Sequence, residues 1–117
     1  MQIRESELFV QTERVTRDSV GDGVCRSILG YDSALMMTHV TLRKGAVTPP
    51  HHHSHRQVSY VESGSFEVII GKEKRILRKG DCYFVPPDVD HGVAALEDSS
   101  LVDVFAPARA DFLHGQD

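Results

Sequence analysis

From residue 35 onward, short runs of alternating apolar and polar side chains are interrupted every few residues by glycine or proline. Residues 35–42, 58–61, 66–70, 75–77, 82–85, 92–95 and 101–105 are rich in β-branched or aromatic side chains and predict strands. Ser63-Gly64, Gly71-Lys72, Lys79-Gly80-Asp81 and Pro86-Pro87-Asp88 supply the residues that tight connections need. Many short strands at close spacing predict an all-β fold, an antiparallel sandwich or barrel. Residues 1–24 form an N-terminal segment, within which 5–17 fit either some helix or an added strand. No repeat or linker divides the chain, so residues 1–117 read as a single domain with one modest core.

The pattern is most unusual between residues 45 and 64, where four of the seven histidines occupy five positions and a glycine closes each end. Alternate residues of an extended strand share a face. His51 and His53 can therefore aim their imidazoles at a common point, and Gln57 can add an amide oxygen after the chain bends. By the same parity His55 also qualifies. A further ligand is available downstream, where residues 80–91 run from a turn through a short apolar strand and a proline corner to the isolated His91. Three imidazoles and an amide oxygen suit zinc, nickel, iron or copper better than magnesium or calcium. That ligand set is neutral, so it favours Lewis-acid over redox chemistry. His39, within Met36-Met37-Thr38-His39-Val40, is either a pocket residue or a hydrogen-bonded barrel residue, and the pocket is the preferred placement.

These two stretches resemble the paired motifs of the cupin superfamily. Gly45, His51, His53, Gln57 and Gly64 fall on the first motif (45–64), and Gly80, Pro86 and His91 on the second (80–95). Two departures stand out: Gln57 replaces the usual glutamate, and Asp88 and Ala95 replace a later glycine and asparagine. The resemblance implies a jelly-roll β-barrel and one divalent transition metal (Ni, Zn, Fe or Mn) on His51, His53, Gln57 and His91. It leaves His52 and His55 exposed or just behind the ligands. It also implies a homodimer, since a jelly roll leaves sheet edges that pair between protomers.

Charge and composition narrow the partners. Thirteen basic and 17 acidic side chains give a net charge of -4, which provides no basic footprint for nucleic acid and no basic helix for reading DNA. The N-terminus lacks the basic start and apolar stretch of a signal peptide, and no apolar run reaches membrane-spanning length. The expectation is a cytoplasmic protein without membrane or nucleic-acid partners. Cys25 and Cys82 are too few for a disulfide framework and read as reduced, structural residues.

The tail of the pattern carries a second anomaly. Asp103 interrupts the apolar run Leu101-Val102-Asp103-Val104-Phe105 on the face shared with Leu101 and Phe105. A buried carboxylate needs a cationic partner, which Arg109 or the metal can supply; otherwise Asp103 is an inward charge that blunts a sheet edge. Arg109 alone reads as a surface side chain whose planar fork suits a substrate carboxylate, and Phe105 alone reads as core.

Taken with the histidine motif, the run Arg26-Ser27-Ile28-Leu29-Gly30-Tyr31-Asp32 and Leu35-Met36-Met37, this tail resembles the pectin-degradation KdgF subfamily of cupins. That resemblance implies an enzyme acting on a small unsaturated sugar acid. It would convert the 4,5-unsaturated monouronates released by pectin and alginate lyases to the linear keto form by opening the cyclic hemiacetal. It also assigns catalytic or substrate-handling roles to Asp103, Phe105 and Arg109. Two other classes fit the same motifs. A cupin dioxygenase would hold iron on the three histidines and consume oxygen, whereas a non-catalytic sugar-binding cupin would return its ligand unchanged.

Overall fold

Strand formation extends beyond the expected runs in the computed structural model, which describes residues 5–114 and so excludes the first four residues of the N-terminal segment. The first five strands are β1 (Asp18–Gly21), β2 (Val24–Asp32), β3 (Leu35–Leu42), β4 (Val47–His51) and β5 (Arg56–Ser63). Five follow: β6 (Ser65–Ile70), β7 (Glu73–Arg78), β8 (Cys82–Val85), β9 (His91–Ala95) and β10 (Ser99–Ala106), before a short helix α1 (Ala110–His114). The segment left open between helix and strand contains only a 3-10 turn at Thr12–Arg14. No helix among the described residues is long and apolar enough to cross a membrane.

The strands form two sheets in which every pairing is antiparallel, one of six strands in the order β1-β2-β3-β10-β5-β8 and one of four in the order β4-β9-β6-β7. Their inner faces close on Leu42, Val61, Phe66 and Val85, all essentially fully buried. This is the expected jelly-roll β-barrel. Sheet closure needs inward side chains to alternate with outward ones along each strand, and β3 does so throughout and β10 from Leu101 onward: Met36, Thr38, Val40 and Leu42 point in, as do Leu101, Asp103 and Phe105.

The barrel filling changes character along its length. Leu101 lies between Val40 and Val61 in register, and this end is apolar. The next inward row runs Thr38, Asp103, Ser59 and Tyr83 across four adjacent strands, so polar groups replace the hydrocarbon there. The row beyond it contains Met36, Phe105, Gln57 and Val85 and opens toward the histidines. On the outer face of the same sheet Met37, Val58 and Phe84 are exposed.

Strand pairing also brings the two motifs together. β4 lies beside β9 with His51 directly opposite His91. Gly92 permits this approach, because a Cβ there would stand 2.6 Å from the Thr48 carbonyl oxygen. In the proline corner Asp88 has φ 64, the left-handed conformation that aspartate tolerates better than most residues. Its N–H donates to the His53 carbonyl at 2.8 Å, tying the second motif to the first. The aspartate at this motif position thus occupies a conformation for which glycine is the usual solution. Both cysteines are free, and Cys82 is exposed, so it has no part in the core.

Candidate metal centre

Each of the three histidines has one nitrogen fixed by the backbone. Nδ1 of His51 lies 3.0 Å from the Pro49 carbonyl, Nδ1 of His53 lies 3.0 Å from the His55 carbonyl, and Nδ1 of His91 lies 2.9 Å from the Val89 carbonyl. A carbonyl only accepts, so in the neutral ring the proton sits on Nδ1 and Nε2 presents a lone pair. This is the usual support of a metal-binding imidazole. One potential ligand atom from each ring lies within 4.8 Å of the others. Nε2 of His91 is buried without any hydrogen-bond partner among the described residues. Burial holds the His91 imidazole down to about 4, with the neighbouring His51 and His53 adding to the effect, so the ring is neutral and able to ligate near pH 7.

Gln57, the first inward residue of β5, is aimed by a chain of hydrogen bonds. Its amide Nε2 donates to Ser59 Oγ at 2.9 Å, and the Ser59 hydroxyl donates to the Asp103 carboxylate. That order leaves Oε1 pointing at the histidines, 3.0 Å from His53 Nε2. Two lone pairs face each other at that distance, an arrangement that a cation between the groups relieves. The orphaned His91 nitrogen, the three oriented rings and this acceptor pair together fit a divalent metal. The nitrogen-rich donor set suits a transition ion.

Asp103 lies on β10, between β3 and β5, so it does not blunt a sheet edge. Its carboxyl is pushed up to about 6 by burial, against the opposing pull of the Ser59 hydroxyl and the Arg26 and Arg109 charges. The folded metal-free protein therefore retains this proton up to about pH 6, whereas an unfolded chain loses it near 3.8. Between those values the folded state binds more protons, and its stability falls as pH rises. Urea unfolding in chelator should show this slope in the wild type and its absence in Asp103→Asn. The difference between the two should change by up to ~3 kcal/mol between pH 4 and 7. Parallel curves would remove the raised carboxyl.

Arg109 follows β10 and has only 12% of its side chain exposed. Its Nε and Nη2 donate to the two carboxylate oxygens of Asp111 at 2.9 and 2.8 Å, and this pairing holds the Asp111 carboxyl below its ordinary value. Phe105 stands edge-on to the His53 ring at 5.8 Å between centroids and to Phe112 at 5.5 Å, so it links the histidines to α1.

A cavity of about 300 Å³ brings together His51, Gln57, His91, Asp103, Phe105 and Arg109. His53 borders it through Gln57 and Phe105. Arg26, Tyr83 and Phe112 line the same cavity, and the sequence pattern does not single them out. Alternation along β2 would have turned Arg26 inward beside Val40, had that strand been foreseen. His39 departs from the expected placement: it faces outward on β3, with Nε2 2.7 Å from Glu62, beside a separate recess of about 650 Å³. Of the two histidines left out by the motif, His52 is exposed and pairs with Asp90 at 3.0 Å. His55 stays behind His53, with ring centroids 5.5 Å apart.

A jelly roll with three converging histidines at one end defines the class, and the chain belongs to the cupin family: the cupin domain model matches residues 38–105. Within that family it is 49% identical over 98 residues to the pectin degradation protein KdgF of Dickeya dadantii (strain 3937), covering 82% of this chain and 89% of that protein. The structure of KdgF from Halomonas sp. superposes with a TM-score of 0.87 at 38% identity, covering 92% of this chain and 99% of that one. An RmlC-like cupin from Shewanella frigidimarina NCIMB 400 superposes with a TM-score of 0.91 at 40% identity, covering 93% and 98%.

Proposed function

We propose that this protein is a pectin-degradation enzyme that binds one divalent metal on His51, His53, Gln57 and His91 and opens 4,5-unsaturated monouronates to their linear keto form. The observation that carries the reading is the placement of a buried carboxylate, Asp103, in the same small cavity as the histidine cradle, on a chain 49% identical to KdgF. At about 300 Å³ the cavity is at the lower end of the ~300–1,000 Å³ range of ligand sites, which suits a single sugar ring rather than an oligosaccharide.

The reaction moves one proton and breaks one bond. Loss of the anomeric hydroxyl proton forms the C1 carbonyl as the C1–O5 bond breaks. The released O5 is then the enolate oxygen on C5, and a proton delivered to C4 converts the enolate to the ketone. Asp103 takes the first proton and returns it at C4, leaving substrate and product as isomers. A carboxyl whose pKa lies near 6 can work in both directions close to neutral pH. The metal, when bound, supplies Lewis-acid stabilisation of the negative charge that develops on oxygen. Phe105 gives the ring an apolar wall, and Arg109 makes the cavity cationic toward the uronate carboxylate.

The test follows the ultraviolet absorbance of the unsaturated monouronate, generated by a lyase in situ, against its spontaneous rearrangement. Metal-loaded protein should accelerate the decay, chelation should abolish the acceleration, and no oxygen should be consumed. Decay at the spontaneous rate with metal bound would overturn the reading.

A further inference from the structure

Two guanidinium groups enter the cavity, and they differ in what they have left to offer. Arg109 sits over Phe112 at 4.2 Å from the ring centroid and has Nε and Nη2 both committed to Asp111. Arg26 approaches the same ring at 3.5 Å, is half-buried, and makes no side-chain hydrogen bond or ion pair among the described residues. Stacking on an aromatic face leaves the in-plane N–H donors of a guanidinium free to take an acceptor. Placing such a group partly out of water without an acceptor is costly. Burial and the Arg109 charge accordingly depress the Arg26 pKa. An anion in the cavity would relieve both costs, and the ionised Asp103 and the histidine cradle line the same space.

We propose that Arg26 is the residue that grips the carboxylate of the sugar acid, in line with the planar fork it presents, while Arg109 is locked by Asp111 as a charged wall behind it. This deepens the sugar-acid reading and rests on it. The carboxylate would then be held from β2, across the cavity from the histidine side, which orients the ring between Arg26 and the His51–His91 pair. Arg26 thereby determines specificity for acids over neutral sugars.

The experiment is a four-way comparison of binding to metal-loaded protein, with galacturonate and its methyl ester as probes and wild type and Arg26→Gln as proteins. Metal content and thermal midpoint serve as controls for folding. Wild type should bind the acid in preference to the ester, and Arg26→Gln should lose about 10- to 100-fold in affinity for the acid with little change for the ester. The Arg26 Nε–H resonance should move on addition of galacturonate and stay in place on addition of the ester. An equal loss for both probes would make Arg26 a packing partner of Phe112 and overturn the proposal. So would an intact acid preference in Arg26→Gln that disappears in Arg109→Gln. If wild type itself fails to prefer the acid, the sugar-acid reading falls and this proposal with it.

Discussion

His91→Ala is expected to weaken binding of a divalent transition metal at least ~100-fold, since losing even an outer partner of a ligand costs ~10–100-fold. His91 holds its Nδ1 on the Val89 carbonyl and leaves Nε2 buried without a partner among the described residues, so the fold already bears the cost of desolvating a nitrogen that a bound metal would satisfy. Removing the ring leaves His51, His53 and Gln57 to hold the ion from one side. In the metal-free state the substitution trades an unsatisfied polar atom for a cavity, two effects of opposite sign, so its stability should change little by comparison. Metal content after dialysis, read beside the exposed His52→Ala as control, checks this. Retention of stoichiometric metal by His91→Ala would place the centre elsewhere.

The parts of this structure that were legible in the sequence are the runs that concentrate β-branched and aromatic residues between turn residues. β3 and β8 have the expected bounds, because Leu35–Leu42 and Cys82–Val85 are rich in apolar, β-branched and aromatic residues and are followed by charged or proline residues that end them. β2 escaped notice because its register shifts between Ile28 and Tyr31, which breaks the period. β4 was obscured by Pro49 and Pro50, residues that argue against a strand unless it lies at an edge, as β4 does. Missing β2 hid Arg26, and no pattern in a five-residue helix pointed to Phe112. The placement of His39 was available in principle, since it shares the outward parity of Met37.

The histidine cluster shows the opposite failure, in which strand parity says too much. Parity nominates His51, His53 and His55 alike. β4 ends at His51 and β5 begins at Arg56, so the intervening residues turn instead of alternating. The turn brings the His53 ring to Gln57 and uses the His55 carbonyl to hold it there. The cupin motif encodes that turn, which periodicity alone cannot express.

The other large effect is expected at Asp103, where asparagine should lower kcat by ~100- to 10,000-fold, the range for loss of a positioned proton-transfer group, while metal affinity stays close to wild type. The separation follows from the hydrogen-bond chain. The asparagine Oδ1 still accepts from the Ser59 hydroxyl, so Ser59 still takes the Gln57 amide proton and Oε1 stays aimed at the histidines. What the amide cannot do is carry a proton. Wild-type kcat/KM should fall on the acid side as the carboxyl protonates, at or below the value of about 6 set by burial, because a bound cation draws it lower. In Asp103→Asn that limb should vanish along with the rate. Ser59→Ala cuts the chain one link nearer the cradle, and it should instead weaken metal binding by releasing Gln57. If Asp103→Asn turns over substrate normally with its metal in place, the proton passes through another group and the carboxylate serves only to orient Gln57.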